Sequence, residues 1–122
     1  FSFVPQVRKT IDAFHNALPP GTKVAGYICE VGHLQLALWH PYGARRVWRY
    51  GAKDCLDPNF SKELSDKGIE YAILDDISLE RTKPSTIDEW LEVNKAEVVF
   101  SQGMPTEPEF PPRQVWLVRF NR

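Results

Sequence analysis

HLQLALWHPYGARRVWRY, residues 33–50, decides how this chain is read. Leu34, Leu36 and Leu38 alternate with His33, Gln35, Ala37 and Trp39, the two-residue period of a strand with one face on a core. Pro41-Tyr42-Gly43 is turn chemistry. Beyond it, Arg46, Trp48 and Tyr50 alternate with Val47 and Arg49. The stretch predicts two strands of an antiparallel meander, His33–His40 and Arg45–Gly51. They follow a first strand over Val24–Val31 that turns at Gly32.

Outward from the meander, the remaining elements carry clear punctuation. Upstream, Val7, Ile11, Phe14 and Leu18 recur at helical spacing, Pro5 suits a first turn, and Pro19-Pro20-Gly21 ends the helix. Downstream, Asp57-Pro58 opens a short helix to about Lys67, anchored by Phe60 and Leu64 and stopped at Gly68. Ile69–Leu74 reads as a strand that delivers Asp75 and Asp76, an acidic pair that marks a solvated turn or a helix cap, with a general base or metal ligands as the functional alternative. Thr86 with Glu89 forms a capping-box pattern ahead of a helix from Ile87 to about Val93, with Trp90 and Leu91 inward. Ala96–Ser101 and Gln114–Phe120 are strands, and the four prolines of 104–112 mark an extended loop between them.

The predicted order is therefore α-βββ-α-β-α-β-β. It describes a single α+β domain over residues 1–122, with a largely antiparallel sheet of five to six strands and helices packed on one face. The composition, 43% hydrophobic and 25% charged, is that of a globular chain able to bury a core. No apolar run approaches the roughly 20 residues of a membrane span, and no secretory signal pattern is present. Phe1 in place of an initiator Met predicts a processed product or an excised domain, so the compartment is weakly constrained, with a lean towards the cytoplasm.

Several chemistries are missing their residues. The order α-βββ-α-β is shared, as topology alone, with restriction-endonuclease-like nucleases, which need an acid two residues before a lysine to hold a metal. All seven lysines here lack that acid. His33 and His40 are seven apart, on opposite faces of a straight strand, and Cys29 and Cys55 are too distant for a metal knuckle, so no metal is expected. The HExxH, GxxxxGK[ST] and GxSxG patterns are absent, and Gly-x-Gly occurs nowhere, which leaves no support for a dinucleotide or any other cofactor.

Charge is distributed unevenly around a net of −1. Residues 41–53 carry Arg45, Arg46, Arg49 and Lys53 and no acid, whereas residues 54–80 carry eight acids and two lysines. Such polarity suits orienting a partner more than gripping a long polyanion. The expected binding set is Trp39, Arg45, Arg46, Trp48, Arg49 and Tyr50, since arginine and indole together offer stacking and bidentate hydrogen bonds to carboxylate or phosphate. The expected function is a non-catalytic binding domain facing an acidic protein or RNA.

Two other functions compete with it. Metal-independent RNA cleavage would use His33, His40, Arg46 and Tyr50, in a toxin-like effector domain. A structural subunit of a larger assembly would instead bury Trp48 and Tyr50 and pair the arginines with the acids after residue 54.

Overall fold

A computed structural model describes residues 3–28, 36–39, 45–80, 86–104 and 113–121. The elements run α1 (Phe3–Ala17), β1 (Val24–Ile28), α2 (Leu36–Trp39), β2 (Arg46–Arg49), α3 (Ala52–Cys55) and α4 (Phe60–Asp66). After these come β3 (Tyr71–Asp75), α5 (Asp76–Glu80), α6 (Ile87–Asn94), β4 (Ala96–Met104) and β5 (Arg113–Phe120). The class is α+β, on one five-stranded sheet ordered β2-β1-β3-β5-β4.

The sheet is mixed. β1 pairs in parallel with β2 on one side and with β3 on the other. β5 then runs antiparallel to β3, and β4 antiparallel to β5, along the longer ladders of the sheet. The antiparallel meander expected over Val24–Gly51 is therefore corrected: its first and last strands are parallel neighbours. Parallel neighbours require a crossover, which contains α2.

The alternating leucines mislead for an identifiable reason. Ala37 and Leu38 are adjacent in sequence, yet both are completely buried in the same cluster. A strand sends consecutive side chains to opposite faces, whereas one helical turn sets them about 100° apart and can bury both. Residues 33–35 and 40 of the expected strand lie outside the described residues.

Helices cover both faces of the sheet, which corrects the expectation of a single helical face. On one face, Phe14 and Leu18 of the α1 end and Ala37 and Leu38 of α2 pack on Ala25, Tyr27, Ile73, Val115 and Leu117. On the other, Cys55, Phe60, Leu64, Leu79 and Trp90 pack on Ile28, Ala72, Leu74, Val118 and Phe120. Burial on both faces is why Val24–Ile28 and Tyr71–Leu74 read as continuous apolar runs. Gly26 in β1 admits the Ile69 side chain, two carbons of which lie 3.4 Å from where a Cβ would stand.

Local signals hold where they rest on backbone chemistry. The Thr86 hydroxyl accepts the Glu89 N–H at 3.4 Å and starts α6. Gly68, after α4, adopts φ 68°, the left-handed conformation that ends helices. Of the two structural readings of the acidic pair, the helix cap is the one Asp75 takes. Asp75 is 1% exposed and its carboxylate accepts the Ser78 N–H at 2.9 Å, capping α5. Asp76 accepts the Gln114 N–H at 3.1 Å and ties the start of β5 to the end of β3. No helix among the described residues is long and apolar enough to cross a membrane.

Candidate functional site

β2 is one of the two edges of the described sheet, and its four residues divide by face. Trp48 packs against the cluster beneath α4, and Arg46 shares that side by alternation. Val47 packs against the opposite cluster, beneath α1 and α2, and Arg49 emerges on that side. Both Arg46 and Arg49 are exposed.

Two cations crowd one half-buried indole. The Arg46 guanidinium carbon lies 5.4 Å from the Trp48 ring centroid, and Lys67 Nζ lies 4.4 Å from it. Both are within the range where a cation is attracted to an aromatic face. Among the described residues, neither cation nor Arg49 makes an ion pair. Lys67 is the residue that sequence reasoning missed. It lies at the C-cap of α4, nineteen positions beyond Trp48, and only the packing of α4 over the parallel strands brings it there.

The other expected site residues are placed differently. Arg45 is 8% exposed, with its guanidinium turned inward. Its Nη1 donates to the Leu38 carbonyl at 2.6 Å and its Nε to the Thr22 carbonyl at 3.3 Å. The Leu38 bond closes the C-terminal end of α2, where a helix leaves carbonyls unsatisfied and favours a cation, and the Thr22 bond ties Arg45 to the segment ahead of β1. Burial lowers the pKa of Arg45 from its ordinary value. Trp39 is half-buried at the end of α2. His33 and His40 lie outside the described residues.

Tyr50 is 9% exposed, packed edge-on against Phe60 at 5.1 Å between ring centroids. Its hydroxyl donates to Glu63 Oε2 at 3.0 Å. Burial above all, then the hydrogen bond and charge of Glu63 and the charge of Asp54, push the phenol pKa up. Beside it lies a cavity of about 320 Å³ rimmed by Asp54, Asp57, Glu63 and Asp66, with Asn59 and Lys62. The basic edge thus gives way, at the end of β2, to an acidic hollow. Among the described residues, no three His, Cys, Asp or Glu side chains are grouped to hold a metal ion.

Comparison with protein families, with curated proteins and with solved structures found no match to this chain.

Proposed function

We propose that this chain is a non-catalytic binding domain that holds an acidic protein surface on the β2 edge, through Arg46, Trp48, Arg49 and Lys67. The observation that carries this reading is the pair of cations on the Trp48 indole, 5.4 and 4.4 Å away, neither of which forms an ion pair among the described residues. A carboxylate arriving between Arg46 and Lys67 would gain two charge-assisted contacts beside an apolar ring. Arg45 and Tyr50 leave the expected contact set and support the strand from behind.

Protein is favoured over RNA by the neighbouring charge. A nucleic acid tracks a basic stripe over many phosphates, whereas here the acidic hollow of Asp54, Asp57, Glu63 and Asp66 begins where β2 ends. RNA cleavage by His33, His40, Arg46 and Tyr50 draws less support, because the Tyr50 hydroxyl is held by Glu63 at the acidic hollow.

The test compares wild type with the triple variant Arg46→Ala, Arg49→Ala, Lys67→Ala. A fluorescent poly-glutamate peptide and a single-stranded RNA serve as probes, at about 50 and 200 mM salt. The expected result is salt-sensitive binding of the peptide by wild type, lost in the variant while thermal stability is kept. Equal binding by the variant, or tighter binding of RNA than of the peptide, overturns the reading. Release of fragments from total RNA in EDTA by wild type would move the assignment to a nuclease.

A further inference from the structure

We infer that the acidic partner binds as an added β-strand, pairing its backbone with the outer side of β2, which no described strand occupies, while its carboxylates meet Arg46 and Lys67. The inference rests on the binding reading above and adds the mode of docking and the conformation of the partner. The backbone observation is separate from the charges. Arg46 N–H donates to the Lys23 carbonyl at 2.8 Å and Tyr50 N–H to the Tyr27 carbonyl at 2.9 Å. In a parallel ladder alternate residues serve the same neighbour, so Arg46, Trp48 and Tyr50 bond towards β1. The peptide groups of Val47 and Arg49 then point away from the sheet, and among the described residues nothing bonds them.

Unpaired edge groups are a template for a further strand, in which main-chain bonds give affinity and alternate side chains give specificity. A partner residue opposite Arg46 would share its face of the sheet, within reach of the Trp48–Lys67 contact. The same charges decide against a second copy of this chain. Edge-to-edge pairing of two β2 strands would gather Arg46 and Arg49 of both copies along four residues, with no acid between them. Cations on an edge strand block self-association, and they leave an extended acidic segment as the complementary occupant.

The far edge, β4, lacks this combination. It carries exposed Val98 and Val99 at a register irregularity between Val98 and Phe100, a distortion that blunts pairing.

The probe is the acetylated, amidated octapeptide (Glu-Val)4, beside the same peptide N-methylated at every residue, which keeps its side chains and loses its donors. Binding of the first should slow hydrogen exchange at the Val47 and Arg49 amides at least tenfold and leave Arg46 and Tyr50 unchanged. The methylated peptide should bind at least tenfold more weakly. If both peptides bind alike and the two amides exchange at the free rate, while Arg46→Ala with Arg49→Ala loses binding, the added strand is wrong and the basic patch stands. If the arginine variants bind (Glu-Val)4 as well as wild type does, or wild type does not bind it, the patch and the added strand fall together.

Discussion

Replacing Arg45 with alanine should cost this protein far more stability than replacing its neighbour Arg46, although both belong to one basic run. The bond from Arg45 Nη1 to Leu38 O is 2.6 Å long and buried, and a hydrogen bond from a charged donor contributes about 1.5–3 kcal/mol. The 3.3 Å contact to Thr22 O adds about 0.5 kcal/mol. Loss of the packed aliphatic stem adds about 1–2 kcal/mol. Removing a buried polar group from its desolvated position returns about 1–2 kcal/mol.

The net expectation is a loss of about 2–3 kcal/mol, which lowers the urea midpoint by about 1 M at an unchanged m-value and the Tm by roughly 10 °C. Arg46→Ala, at an exposed edge position, should shift stability by less than about 0.5 kcal/mol. The assay is urea unfolding followed by far-ultraviolet circular dichroism on both variants. An Arg45→Ala loss no larger than that of Arg46→Ala would sink the assignment of Arg45 to the fold.

Three further outcomes are expected. Gly68→Ala should cost about 1–2 kcal/mol through the backbone alone, because φ is 68° and nothing lies where the Cβ would go, while Lys95→Gly, at φ 54°, should gain roughly 0.5–1 kcal/mol; thermal unfolding reads both. Tyr50→Phe should lose about 0.5–1.5 kcal/mol, since Glu63 loses its half-buried hydroxyl donor, and urea unfolding checks it. Cys55, whose thiol burial and the charges of Asp54 and Asp75 push up to about 12, contributes stability that is full below the unfolded thiol value of 9.0 and is lost as pH rises towards 12. The urea midpoint should therefore fall less steeply between these pH values in Cys55→Ala than in wild type, and identical slopes would refute the assignment.

Signals that act within one turn of chain were legible in the sequence. The Phe14–Leu18 stripe, the Thr86 cap, the Gly68 stop and the β5 strand all appear where residue chemistry puts them. Strand pairing was not legible, because Val24–Ile28 and Arg46–Arg49 carry the same residues whether the chain between them turns back or crosses over. The crossover reassigns one face of the sheet and adds a second helical layer, which no local period encodes. Arginine burial was equally hidden. Arg45 and Arg46 are identical in type and adjacent in sequence, and only the position of the Leu38 carbonyl separates them. Lys67 entered the patch by the same tertiary route.

Fastening Arg45 to carbonyls on two different segments fixes the residue that leads into the edge strand before any visitor arrives. An encounter partner meets a strand whose backbone freedom was already surrendered during folding, so its own ordering is the larger entropic loss on docking. Loosening that fastening would weaken capture by a side chain that never touches the captured molecule, chiefly through faster escape.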